Sequence, residues 1–141
     1  MTPLELSKEA TTAWNKHDGE ASTKNYTSES VYIHPRGDLK GKEAIRKFLE
    51  KHVWAAYPDS QIEVVSIGDV GNGLIASQWI MHATNAGAFP DGTPATGKRV
   101  QLPGATFYQY EGDKVVSERT YFDLHGLLKQ LGLVQALPGS K

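Results

Sequence analysis

The sequence predicts an α+β fold, on three observations. Helical periodicity dominates the chain up to residue 56, two-residue alternation takes over from residue 61, and the breaks between alternating stretches carry antiparallel turn chemistry. Helices covering one face of a twisted antiparallel sheet leave room for a cone-shaped cavity between the layers. The expected architecture is therefore an α+β barrel: a curved antiparallel sheet wrapped around N-terminal helices, as a single domain over 1–141.

Each element has a local reason. In "TPLELSKEATTAWNKHDG", Thr2 suits the N-cap, Pro3 the first helical position, and Glu5 completes a capping box. Leu6, Ala10, Ala13 and Trp14 form an apolar stripe that Gly19 is expected to end. A short helical turn is expected over 21–26. "SVYIHP" reads as a strand with Val31 and Ile33 on one face, Tyr32 and His34 on the other. A second helix, about 42–56, carries Ala44, Ile45, Phe48, Leu49, Val53 and Ala56 at helical spacing. It must end near Tyr57, because Pro58 drives its predecessor out of the α region. Strands follow at 61–67, 73–84, 98–110 and 114–122, with turns in "GDVGNG" and "EGD". The Gly/Pro-rich stretch "NAGAFPDGTPATGK" reads as a loop suited to a lid or specificity segment. Leu124, Leu127, Leu128 and Leu131 begin a last helix directly behind Asp123.

Bulk properties exclude several functions. With 141 residues the chain can bury roughly two thirds of its unfolded surface. Its 15 Lys and Arg against 16 Asp and Glu give no basic excess for nucleic acid or an anionic membrane. No long apolar stretch opens the chain, so no signal peptide or membrane span is expected, and the cytoplasm is the expected location. Zero cysteines rule out disulfides, thiolate metal sites and a cysteine nucleophile. "GTPATGKR" has phosphate-loop spacing, but Arg99 replaces the metal-binding hydroxyl, Pro94 interrupts it, and a strand follows. The histidines lack metal-ligand spacing. No metal or cofactor is expected.

The candidate site residues follow from alternation in the last strand. Val115, Ser117, Arg119, Tyr121 and Asp123 fall on one face, and Val116, Glu118, Thr120 and Phe122 on the other. The first face is either solvated or a polar pocket wall, in which Arg119 and Tyr121 tune a carboxylate. Asp123 is either an N-cap or a proton acceptor. His34, at a strand end, is a second candidate base. Trp14, Trp79 and Tyr108 combine apolar bodies with polar tips, suiting a pocket for a flat, oxygenated ligand. The uncovered sheet face, with Ile80, Phe107 or Phe122, is too apolar to stand as one patch, which predicts a homodimer.

"GKEAIRKFLEKHVWAAYPDSQIEV", "TPATGKRVQLPGATFYQYEGDKVVSE" and "RTYFDLHGLLKQLGL" together resemble the SnoaL-like polyketide cyclases, within the nuclear transport factor two-like superfamily that includes ketosteroid isomerases. The resemblance implies a deep cavity, a homodimer, and cofactor-free acid/base chemistry on a hydrophobic, carbonyl-bearing small molecule, such as intramolecular aldol cyclisation or isomerisation. It implies Asp123 as the catalytic aspartate and places His34 where ketosteroid isomerases carry their base. Asn85 stands where the family often has histidine and is left as an oxyanion contact. A binding or dimerisation module without turnover, or a hydrolase or dehydratase in the same pocket, is the alternative, since fold does not settle function.

Overall fold

The computed structural model describes residues 1–134; residues 135–141 of the expected domain lie outside the described residues. In chain order the elements are α1 (Pro3–Asn15), α2 (Gly19–Ser22), β1 (Tyr26–His34), β2 (Gly37–Lys40), α3 (Lys42–Phe48), a π-helical turn (Leu49–Val53) and α4 (Trp54–Ala56). There follow β3 (Gln61–Gly71), β4 (Leu74–Thr84), β5 (Arg99–Glu111), β6 (Lys114–Phe122) and α5 (Leu124–Gln130). The strands make one six-stranded sheet in the order β2-β1-β6-β5-β4-β3. The α+β expectation holds. The wholly antiparallel sheet does not, because β1 and β6 pair in parallel while every other pair is antiparallel. A hairpin forces its strands antiparallel, but β1 and β6 meet across most of the chain and no turn sets their direction.

Helix α1 starts as its sequence requires. Thr2 Oγ1 accepts from the Glu5 N–H at 3.2 Å, and Glu5 Oε1 accepts from the Thr2 N–H at 3.2 Å. It stops earlier than expected. His17 takes the left-handed position (φ 55°), while Gly19 opens α2 behind the Asp18 cap. His17 is held there by its Nε2 contact with the Ser60 carbonyl (2.8 Å) and by stacking on Trp54 at 5.0 Å. The expected second helix runs unbroken from Lys42 to Ala56 but widens into a π turn at its middle, beside the cavity described below. Tyr57, at φ −128° and ψ 71°, ends it before Pro58. The β3–β4 hairpin turns through Asn72 and Gly73, both at positive φ, as a two-residue hairpin of matching twist demands.

Asn85 is a staple for loop 85–98 rather than the oxyanion contact expected from its position. Its Nδ2 donates to the Ala56 and Gly87 carbonyls (3.1 and 2.9 Å), and its Oδ1 accepts from Thr96 N–H and Oγ1 (2.8 and 3.0 Å). Fully buried and with these four bonds made, it has nothing left to offer a ligand. Gly87 lets this closure happen, since a Cβ there would stand 1.8 Å from the Ala55 carbonyl oxygen.

Two apolar clusters bracket the interior. One gathers Leu6, Tyr26, Ile45, Ile75, Tyr110 and Val115; the other includes Tyr57, Met81, Val100, Leu102, Leu127 and Leu131. In β6 the alternation breaks between them. Tyr110 pairs with Val115 and Gln109 with Ser117, so Val116 is an extra, bulged residue. Val115 therefore points inward together with Glu118, Thr120 and Phe122, and the expected sharing of a face by Val115, Arg119 and Tyr121 fails. Among the described residues, no helix is long and apolar enough to cross a membrane.

Candidate active site

Between the helices and the sheet lies a cavity of about 370 Å³, within the usual range for small-molecule sites. Its wall is ordered by strand register into rungs. The first runs Tyr32, Glu118 and Tyr108 across β1, β6 and β5. The second carries Thr120, Thr106 and Ser77, and His34 lies one step along β1 from Tyr32 on the same face. The third sets Phe122 and Trp79 on either side of Gly104, and Leu102 and Met81 follow. Trp14, Phe48, Leu49 and Val53 close the helical side. Arg36, His52, Pro90 and Asp91 are exposed lining residues and mark the mouth.

The group that alternation missed is Glu118. It is the sheet's acidic residue on the cavity wall, and burial pushes its carboxyl up to about 7. Two donors moderate that rise: the Tyr26 hydroxyl donates to Oε1, and Thr120 Oγ1 donates to Oε2 at 3.5 Å. Desolvation, and next the nearby Glu118 charge, hold the phenols of Tyr26, Tyr32 and Tyr108 well above their ordinary range. They stay protonated and act as donors. At neutral pH Glu118 is thus poised between acid and base, among hydroxyls and aromatic faces.

His34 lines the same cavity, and the backbone N–H of Arg36 donates to its Nδ1 at 3.2 Å. Desolvation lowers its pKa, with Asp38 opposing and Arg36 assisting, so the ring is neutral at neutral pH. With Nδ1 accepting, the ring proton sits on Nε2, and His34 offers a hydrogen-bond donor rather than a base.

Four expected site residues reach the cavity wall: His34, Tyr108, Trp79 and Trp14. Four do not. Asn85 is the loop staple. Arg119 and Tyr121 are exposed on the outer sheet face, where Tyr121 meets Phe107 edge-on at 6.1 Å. Asp123 is exposed and caps α5, its Oδ1 accepting from the Gly126 N–H at 2.9 Å. The bulge at Val116 accounts for Arg119 and Tyr121, and strand end plus helix start accounts for Asp123. The signal that pointed to Glu118 was available: a lone carboxylate beside Thr120 and Phe122 on a face otherwise apolar or hydroxyl-bearing.

The SnoaL-like polyketide cyclase family model matches residues 5–131. Among solved structures, AclR from Streptomyces galilaeus, a candidate hydroxylase, is 26% identical with a TM-score of 0.80, over 97% of this chain and 89% of that one. A candidate SnoaL-like polyketide cyclase from Jannaschia sp. CCS1 is 16% identical with a TM-score of 0.82, over 94% of this chain and 93% of that one. A protein of ketosteroid isomerase-like fold from Catenulispora acidiphila, solved in complex with trimethylamine, is 20% identical with a TM-score of 0.77, over 95% and 96%. The last two likenesses show the shared fold alone. No curated protein matches the chain.

Two outcomes follow from this geometry. Asp123→Ala should cost about 0.5–2 kcal/mol in urea unfolding and Asp123→Asn only tenths, because asparagine caps nearly as well. Glu118, raised from 4.5 to about 7, contributes stability that is complete below pH 4.5 and lost as pH climbs through 7. Glu118→Gln should therefore match the parent at pH 4.5 and exceed it at pH 8.5 by roughly 3 kcal/mol, the equivalent of that rise. An equal stability difference at both pH values would contradict the assignment.

Proposed function

The chain belongs to the SnoaL-like polyketide cyclase family, and on that premise we propose that it is a cofactor-independent acid/base enzyme acting on an apolar, carbonyl-bearing small molecule. The observation that carries this reading is the Glu118 carboxyl, buried in an aromatic cavity with a pKa near working pH.

Glu118 takes a proton from a carbon beside a carbonyl, and the electron pair moves onto the carbonyl oxygen. The Tyr108 hydroxyl, which has no hydrogen-bond partner among the described residues, and His34 Nε2–H are the donors for that oxyanion. In a cyclisation the carbanion attacks a second carbonyl carbon of the same molecule. One C–C bond forms, and the resulting alkoxide takes back the proton from Glu118. In an isomerisation the same proton returns to a different carbon. Trp14, Trp79 and Phe48 supply apolar contact for the body of the substrate.

Solvent-deuterium exchange at the α carbons of 1,3-diketones and aryl ketones tests this without knowing the substrate. The exchange rate per enzyme should rise with pH to a plateau above about 7, since the base works ionised. Glu118→Gln should lower it on the order of 10²- to 10⁴-fold, and Asp123→Asn should leave it unchanged. Exchange that survives Glu118→Gln sinks the proposal.

The outer sheet face supports a homodimer as part of the same proposal. Ile80, Pro103, Ala105, Phe107 and Tyr121 lie on that face, with Phe107 36% and Tyr121 55% exposed. The expected Phe122 does not join them, because the bulge turns it to the cavity. Light scattering at micromolar concentration should give twice the 15.4 kDa chain mass, and Phe107→Lys should halve it. A monomer mass for the parent chain rejects the dimer.

A further inference from the structure

A line of hydroxyls crosses the cavity wall from β4 to β6, and its geometry has a direction. Trp79 Nε1 donates to Thr106 Oγ1 at 2.9 Å; Thr106 Oγ1 and Thr120 Oγ1 are 2.9 Å apart; Thr120 Oγ1 donates to Glu118 Oε2 at 3.5 Å. An indole N–H can only donate, whereas a threonine hydroxyl has one hydrogen and can face either way. A carboxylate only accepts, so Thr120 spends its single hydrogen on Glu118 and can only accept from Thr106, whose own hydrogen is therefore turned toward Thr120. The indole hydrogen occupies a lone pair of Thr106. Every link donates in the same sense, and the last hydrogen lands on the carboxylate.

We propose that Trp79 is a positioning residue that acts on Glu118 through Thr106 and Thr120, anchoring the far end of a three-link donor chain that ends on the Glu118 carboxylate. The consequence for rate rests on Glu118 being the base; the chain itself does not.

The fold makes a specific provision for this line. Gly104 lies directly across from Trp79, and a Cβ there would come within 2.4 Å of the indole Cη2. The missing side chain gives the ring space to lie across β5 with Nε1 at Thr106. Thr106 and Thr120 are both buried, and each hydroxyl has its hydrogen-bond partners within the protein. Tyr26 supplies the other oxygen of Glu118 with its own donated hydrogen. A carboxylate accepts from both sides at once. A neutral carboxyl carries a hydrogen of its own, and the oxygen that bears it accepts from its donor more weakly. The chain therefore favours the ionised base and opposes the burial that pushes Glu118 up. Without it Glu118 would stay protonated further above neutrality, and a smaller fraction would be ready to accept a proton.

Other charged or titratable groups face this centre. Tyr26, Tyr32 and His34 come from β1, Tyr108 and Tyr110 from β5, His52 from the π-helical turn, and Arg36 and Asp91 from the mouth. The readout must therefore be Glu118 itself. In the intact protein with no substrate present, the ¹³C signal of the Glu118 carboxyl is followed against pH. The parent midpoint is expected near 7. Trp79→Phe and Thr106→Val should each raise it by on the order of one pH unit, the scale of one charge-assisted hydrogen bond. The double variant should move no further than either single one, since both break one chain. Thr106→Ser keeps the hydroxyl and should leave the midpoint in place, which separates the chain from a merely structural loss. Should Trp79→Phe fail to fold, the Thr106 pair carries the test alone.

An unmoved or lowered midpoint in Thr106→Val overturns the proposal, as does a double shift equal to the sum of the singles. Because no turnover is read, the chain can stand where the exchange assay fails, and the reverse also holds.

Discussion

A carboxyl group withdrawn from water is the constraint on which the cavity is built. An ionised carboxylate in an apolar environment loses its hydration, and it is tolerated only where fixed donors replace the lost water. Glu118 is given such donors from two directions, the Tyr26 hydroxyl on one oxygen and Thr120 on the other. They offset only part of the desolvation, which leaves the group near neutrality in its titration. A surface carboxylate would be almost wholly ionised and a weak base. A fully desolvated one would hold its proton. The compromise between burial and hydrogen bonding creates a group able to do both halves of a proton transfer.

The rest of the architecture serves that placement. Register carries Tyr32 and Tyr108 to either side of Glu118, and the parallel β1–β6 pairing brings His34 along the same wall. The π turn at Leu49–Val53 places Leu49 and Val53 opposite the sheet, and the Asn85 staple fixes the loop that contributes Phe89, Pro90 and Asp91. The bulge at Val116 matters most. One extra residue transfers β6 from one face assignment to the other. Without it, Val115 could not fill the core while Glu118 reached the cavity. The same residue leaves Arg119 and Tyr121 outside.

Local chemistry was legible in the sequence wherever the cause was local. The Thr2 capping box, the Pro58 stop and the Asn72–Gly73 turn follow from neighbouring residues and are present. The α+β layering followed from periodicity alone. What failed needed information from distant parts of the chain. Strict alternation through β6 assumed no bulge, whereas the bulge is defined only by the partner strand, where Tyr110 meets Val115 and Gln109 meets Ser117. The parallel β1–β6 pairing has no turn to announce it. Asn85 drew attention through the family's histidine at that place, yet its four bonds belong to a loop closure that no spacing rule describes. Asp123 held two readings at the sequence level. The backbone bond to Gly126 and its exposed setting satisfy the capping one, and the carboxyl that faces the cavity lies five residues earlier in the chain.

On the proposed reading, the reacting carbon of a bound carbonyl compound sits against Glu118. A crystal structure of the protein with a cyclic 1,3-diketone in the cavity tests it most directly. The carbon between the two carbonyls should lie about 3–3.5 Å from a Glu118 oxygen, as a near-attack geometry requires. One carbonyl oxygen should come within hydrogen-bond reach of Tyr108 or His34 Nε2. A diketone seated in the cavity with that carbon turned away from Glu118, and its oxygens met only by groups at the mouth, would contradict it.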